Sequence, residues 1–349
     1  MVDVSVIIPI FNGEKWIDQC MNSITTQSIL ELGSTLFKLE IVVYNDGSTD
    51  GTRNILNEWR LYFTRKDISF QIVDAVKSKG CGAAKNGAVK KSTGKFLCFQ
   101  DIDDVMNPDR IKLQWEAASL NHNTLIGSRV TRNPQNSTPR FIKWANNLSP
   151  RELEVQIYTS NGPTLLMPTW FCHRSVYDKV GGFDESGQGT PEDLIFFYSH
   201  IDRGGKLLRV DEVLVIYTYH EEATTFSISR KEIWDIQLRR LEQHVLSKWT
   251  HFTIWNAGKA GRKMVRALSP ESCRKVVSFC DVDIKKIGHT IELYCPIKRE
   301  VLVRVPVIHF TKAKPPILIC VKLDLTNGDF EKNLSSLNLT ENVDYVLFC

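Results

Sequence analysis

Residues 95–104 read Lys95-Phe96-Leu97-Cys98-Phe99-Gln100-Asp101-Ile102-Asp103-Asp104. A short apolar run stops abruptly at three carboxylates, as a buried strand does when it delivers polar side chains to the edge of a sheet. Upstream, further strands alternate with helices. Val4–Ile10, Leu39–Tyr44 and Phe70–Val73 are apolar runs of strand length. Between them, Trp16, Ile17, Cys20, Met21 and Ile24 recur at helical spacing, Thr52–Trp59 follows the capping residues Ser48 and Asp50, and Gly82–Lys91 precedes the fourth strand. Strand, helix, strand, helix predicts an α/β fold with a parallel sheet and right-handed crossovers. Ligands of such sheets bind beyond the carboxyl ends of the strands, where Asp101–Asp104 stand.

Carboxylates packed as tightly as Asp101, Asp103 and Asp104 repel one another, and some are driven toward the protonated form unless a cation intervenes. Hard oxygen donors suit Mg2+ or Mn2+, which in turn can bridge two phosphates of a nucleotide leaving group. The plainer reading is an acidic loop capping the next helix. Asn45-Asp46-Gly47-Ser48-Thr49-Asp50 also follows a strand: Asp46 is placed to accept an N–H from a base, or the stretch is a turn with an N-cap. Glu192-Asp193, after Pro191, opens an apolar helix; the pair either complements the helix dipole or supplies a general base. His220, in Tyr217-Thr218-Tyr219-His220, is either structural or completes a metal site.

Residues 110–225 are less regular, with loop signals at Pro134, Ser149-Pro150 and Gly181-Gly182. Residues 226–250 are expected to form a linking helix. A second alternating pattern begins near Phe252 and predicts a smaller Rossmann-like α/β domain over 251–349, after a first domain over 1–225. Its first turn, Ala257-Gly258-Lys259-Ala260-Gly261-Arg262, resembles a dinucleotide-binding turn without its third glycine, which is otherwise read as tight strand–helix packing. The last hundred residues hold 15 Lys and Arg against 10 Asp and Glu. Lys259, Arg262, Lys263 and Arg266, with Arg274 and Lys275, are therefore candidates for contacting RNA phosphates, or else form a solvated surface.

The chain of 349 residues is 42% hydrophobic and 24% charged, with a net charge of +4, an ordinary globular composition. It contains no apolar run long enough to span a bilayer and no signal-peptide pattern at its start. Nine cysteines are scattered without a C-x-x-C pair, which fits a reducing compartment and gives no zinc motif. The expectation is a cytoplasmic protein without a membrane partner.

In order and spacing, five stretches resemble the family-two glycosyltransferases of the GT-A fold: Val4–Gly13, Val43–Asp50, Ala83–Asn86, Gln100–Asp104 and Glu192-Asp193. The resemblance covers roughly 1–225. It implies a mixed, mostly parallel sheet and a UDP-sugar donor. Pro9 and Phe11 would line the uracil pocket, Asp46 would accept from uracil, and Lys85, where the family often has Arg, would face the nucleotide. Asp103 would contact ribose or metal-bound water. Asp104 would hold Mn2+ or Mg2+, with His220 as a further ligand, and Asp193 would be the base. Glu192 would support that base or orient the acceptor, and Asn161 and Trp170 are candidate sugar or acceptor contacts. A closer likeness, through Ser160–Thr164, Met167–Cys172, Phe252–Lys259, Phe279–Asp283 and Cys320–Thr326, is to the transferases that glycosylate queuosine in tRNA. It implies galactose as the sugar and the wobble nucleoside as acceptor. Two other readings stay open: a UDP-N-acetylglucosamine-dependent transferase acting on a glycan or protein hydroxyl, and a tRNA-binding scaffold without activity.

Overall fold

A computed structural model describes residues 2–33, 36–295 and 300–349. The chain divides into two compact units, one of residues Met1–Glu154 with Pro163–Ser229, the other of Val155–Gly162 with Arg230–Cys349.

The first unit is built on an eight-stranded sheet in the order β3-β2-β1-β4-β7-β6-β8-β5. Its strands are β1 (Val4–Ile10), β2 (Leu39–Asn45), β3 (Ser69–Asp74), β4 (Phe96–Phe99), β5 (Val105–Met106), β6 (Thr124–Asn133), β7 (Phe171–His173) and β8 (Lys206–Thr218). The helices are α1 (Ile17–Thr25), α2 (Thr52–Arg65), α3 (Cys81–Lys91), α4 (Arg110–Ser119), α5 (Pro139–Asn147), α6 (Pro150–Val155), α7 (Arg174–Val180) and α8 (Glu192–Asp202). β1, β2, β3 and β4 are mutually parallel; β7 runs antiparallel between β4 and β6, and β5 antiparallel to β8. The sheet is therefore mixed, as expected.

Every residue of β1 is buried, as a parallel strand covered on both faces must be. Pro9 sits in this central strand without breaking it. The Gln100 N–H donates to Ile7 O, so residues 7 and 9 face β4, and β4 has already ended at the Ile7–Phe99 pair. The missing proline N–H thus has no ladder partner to disappoint. Val6, Ile8, Ile17, Met21, Ile41, Val43, Leu56 and Phe63 join one apolar core beneath the sheet. The stretch over 110–225, irregular as a sequence, supplies β6, β7 and β8; long β8 hides its regularity because many of its side chains stay half exposed.

The second unit carries a six-stranded sheet, β11-β12-β10-β9-β13-β14. These are β9 (Phe252–Trp255), β10 (Val276–Asp281), β11 (Thr290–Cys295), β12 (Glu300–His309), β13 (Ile317–Ile319) and β14 (Tyr345–Leu347), with helices α9 (Arg230–Leu241), α10 (Lys259–Ala267), α11 (Pro270–Arg274) and α12 (Asp329–Ser335). All pairs are parallel except the β11–β12 hairpin. Trp255, Phe310, Ile317, Phe330 and Leu347 form its core. The helix expected as a linker over 226–250 is shorter and belongs to this unit: Gln237 Nε2 donates to Thr159 O at 2.8 Å, and the Arg240 guanidinium donates to Tyr158 Oη at 2.6 Å. Gly261 is required by close packing, since a Cβ there would lie 2.0 Å from Asn256 O.

Candidate active site

The carboxyl ends of β1 and β2 carry loops that lace together. Thr49 N donates to Asn12 Oδ1 at 2.8 Å, Asn12 N to Ser48 Oγ at 2.9 Å, and Gly13 N to Thr52 Oγ1 at 3.0 Å. Asn12 adopts a left-handed conformation to make this crossing, which short polar side chains tolerate. Beside it Phe11 leaves 48% of its surface exposed, an apolar face available for stacking. Pro9 is buried. Asp46 is buried too, and its carboxylate gathers the loop after β3: it accepts from Ser78 Oγ at 2.7 Å, Lys79 N at 3.0 Å and Gly80 N at 2.9 Å. Most of its hydrogen-bonding capacity holds that loop; Oδ1 is the less occupied oxygen.

The acid turn after β4 is braced from below. Gln100 Nε2 donates to Asp101 O at 2.8 Å and to Asp104 O at 2.9 Å. Gln100 Oε1 accepts in turn from Arg110, which is fully buried and also donates to Phe99 O, Pro168 O and Gln114 Oε1. Arg110 thus places a cation under the carboxylates while touching only neutral acceptors. Neither Gln100 nor Arg110 stands out in the sequence. Their one signal is a long polar side chain at each end of an acidic stretch.

The turn sorts its three carboxylates by environment. Asp104 is sealed: Oδ1 accepts from Thr218 N at 2.8 Å, and Oδ2 is buried without a partner. Burial, with the charges of Asp103 and Asp101, holds its carboxyl well above the usual range. Asp103 instead faces outward, its Oδ2 2.8 Å from His220 Nε2. The His220 ring packs against Trp16 at 5.0 Å, and its Nδ1 is buried without a partner. Asp104, expected to hold the metal, thus keeps one buried oxygen without a partner, while Asp103, expected to contact ribose or metal-bound water, is the one paired with the imidazole. Burial raises Asp101 to about 6; Asp103 and Glu192 push the same way, and Lys85 opposes them. Among the described residues no three His, Cys, Asp or Glu side chains converge as a finished metal site.

α3 packs closely on the segment that leads into α8 because Gly82 permits it: a Cβ there would lie 2.0 Å from Asp184 O and 3.4 Å from Glu192 Cβ. That approach brings Lys85 Nζ to 2.8 Å from Glu192 Oε1, with the ammonium 5.1 Å over the Phe183 ring. The Lys85 side chain is 2% exposed. Lys85, expected to face the nucleotide, is thus buried and paired with Glu192, the residue expected to support the base or orient the acceptor. Asp193, next in the helix, is half-buried, and Oδ1 accepts from Leu194 N at 2.7 Å. Burial raises its carboxyl to about 6, with Glu192 adding to the shift and Lys85 reducing it. Trp170 is not at the site. It is fully buried among Phe183, Phe196 and Phe197, its Nε1 donating to Leu165 O at 2.9 Å. Asn161 falls in the second unit, on the stretch whose Ser160 N donates to Cys349 O.

The profile of glycosyl transferase family 2 matches residues 5–181. The chain belongs to this family. It is a glycosyltransferase. Among relatives, the uncharacterized glycosyltransferase EpsJ of Bacillus subtilis is 22% identical over 261 residues, 73% of this chain and 72% of that one. The structure of Staphylococcus aureus TarS with UDP-GlcNAc superposes with a TM-score of 0.55 at 17% identity, covering 79% of this chain and 84% of that one. Mannosyltransferase PcManGT from Pyrobaculum calidifontis, in complex with GDP-Man and Mn2+, does so at 0.50 and 21% identity, over 70% of this chain and 63% of that one. At these identities the solved structures share the glycosyltransferase fold. Among the described residues no helix is long and apolar enough to cross a membrane.

Proposed function

We propose that the chain is an inverting transferase that moves galactose from UDP-galactose to the cyclopentenediol of queuosine at the wobble position of tRNA. The observation that carries the reaction class is Asp193. It is a half-buried carboxylate raised to about 6, set beside a separate, outward-facing acid turn. Such a group is ionised at neutral pH yet basic enough to take a proton as an oxygen–carbon bond forms. Asp193 accepts the proton of the acceptor hydroxyl. The freed oxygen attacks the anomeric carbon, the bond from that carbon to the diphosphate breaks on the opposite face, and configuration inverts. Lys85 keeps Glu192 from adding its full charge next to the base. Phe11 offers its exposed face to the uracil, with Pro9 behind it and Asp46 holding the loop that closes the pocket.

The donor set at the acid turn fits a divalent ion finished by a diphosphate: a carboxylate at Asp103 and an imidazole at His220, with orphaned polar atoms on His220 and Asp104. The mixed oxygen and nitrogen set favours Mn2+ over Mg2+. When bound, the ion would neutralise charge growing on the leaving diphosphate.

The acceptor reading rests on the whole-chain resemblance and on the cationic α10, whose exposed Lys259, Arg262, Lys263 and Arg266 lie at helical spacing with no acidic residue in the helix. A second reading is supported by the donor in the TarS complex: UDP-N-acetylglucosamine transferred to a glycan or protein hydroxyl. An inert tRNA-binding scaffold is disfavoured by the match to a glycosyltransferase family. The deciding experiment is mass spectrometry of nucleosides from queuosine-containing tRNA after incubation with Mn2+ and a panel of UDP-sugars. A hexose gained only with UDP-galactose supports the proposal. An N-acetylhexosamine gain, or transfer only to glycan acceptors, supports the second reading.

A further inference from the structure

Between Ala117 and Arg151 stand five basic residues and no acidic one. The structure gathers part of this stretch with the end of β8 into a mixed cationic and aromatic surface within the first unit. The Arg132 guanidinium lies 3.7 Å above the Tyr217 ring, 5.7 Å from that of Tyr219 and 5.8 Å from that of Phe141. Its N–H groups are fixed by Thr138 Oγ1 and Thr218 O. Tyr219 meets Phe226 edge-on at 5.7 Å, yet Tyr219 stays 38% exposed and Phe226 55%. Rings left in water beside a braced cation form a surface that awaits a partner.

The surface is tied to the candidate active site. Tyr219 is flanked by Thr218, whose N–H holds Asp104, and by His220, which holds Asp103. A ligand stacked on Tyr219 therefore lies along the strand end that frames the acid turn. We infer that Arg132, Tyr219 and Phe226 form the docking surface for a single-stranded RNA loop, with unstacked bases on the rings and a phosphate against the cation. Aromatic rings alone would serve a neutral sugar equally well; the Arg132 cation beside them selects a polyanion. The neighbouring acids in the chain are Glu222, engaged by Lys15, and the exposed Glu221. A duplex keeps its bases stacked on one another, so a loop is the form that can use the rings. This inference rests on the reading of an RNA acceptor and names where that acceptor sits.

The test is fluorescence anisotropy of a labelled RNA hairpin with an open loop, against a blunt duplex of equal length, using the full chain. The hairpin should bind tighter than the duplex. Tyr219→Leu and Phe226→Leu should each weaken hairpin binding about tenfold while leaving duplex binding unchanged. Phe226→Trp should retain it, and Arg132→Gln should flatten the salt dependence. Calorimetric UDP binding reports folding of each variant; if Tyr219→Leu fails that control, Phe226→Leu decides. Hairpin affinity unchanged in the leucine variants overturns the inference. If binding is then lost on charge reversal at Arg262 and Lys263, the RNA acceptor stands and only this surface is wrong. If neither RNA binds and a neutral oligosaccharide does, both readings fall.

Discussion

In the proposed reaction a single carboxyl, Asp193, is the base, and its environment sets the pH at which it works. A base must be unprotonated, so kcat/KM should rise with pH through about 6 and level above it. Asp193→Asn should lower transfer about a thousandfold with UDP affinity intact by calorimetry. Retained turnover would remove Asp193 from the role. Lys85 opposes the rise of the Asp193 pKa, so Lys85→Met should move the midpoint of the rate profile to higher pH. The same change leaves Glu192 buried without its cation and should cost about 3 kcal/mol in urea denaturation. At the acid turn, His220→Ala should weaken Mn2+-dependent UDP binding by about tenfold or more while metal-free binding stays unchanged. Equal losses with and without metal would place His220 outside the metal site. These roles were only half legible in the sequence. Asp103 and Asp104 are neighbours of identical chemistry, and only the Thr218 amide and the His220 ring tell them apart. Trp170 reads as a possible sugar platform until the aromatic core around it is seen.

Elements bring these residues together, and the contacts that do so are made by backbone. α3 and the segment leading into α8 approach at Gly82, where a Cβ would meet Asp184 O at 2.0 Å. A carbonyl cannot rotate aside as a side chain can. Gly82→Ala should therefore shift the segment, lower the melting temperature by several degrees, equivalent to about 2 kcal/mol, and loosen the Lys85–Glu192 pair. A variant with unchanged melting temperature would show that the helices reach each other without the glycine. The same logic placed β1, β2 and β4 correctly in the sequence: doubly covered parallel strands are continuous apolar runs, which periodicity detects. It failed over β6 to β8 and for the β11–β12 hairpin. Half-exposed strands there mix polar and apolar residues, and their identity depends on which neighbour covers them.

For the whole molecule, charge is distributed by unit. The stripe on α10 belongs to the second unit, and under the proposed function it would supply affinity for tRNA. Reversing Arg262 and Lys263 should weaken tRNA binding uniformly across sequences and reduce the slope of log affinity against log salt by about two. An unchanged slope would reject that stripe as a phosphate contact. The sequence alone determined the reaction family, because the carboxyl-end motifs follow strands whose apolar runs are local and periodic. It also showed two α/β patterns in one chain. Only the tertiary structure decided which aspartate faces His220, that Lys85 serves Glu192, and that Gln100 and Arg110 brace the turn. It alone showed that Arg132 lies among aromatic rings contributed from residues more than eighty positions away. Local pattern reports which elements form. Which face of a side chain meets water, backbone or another charge depends on contacts far apart along the chain, and those exist only once it has folded.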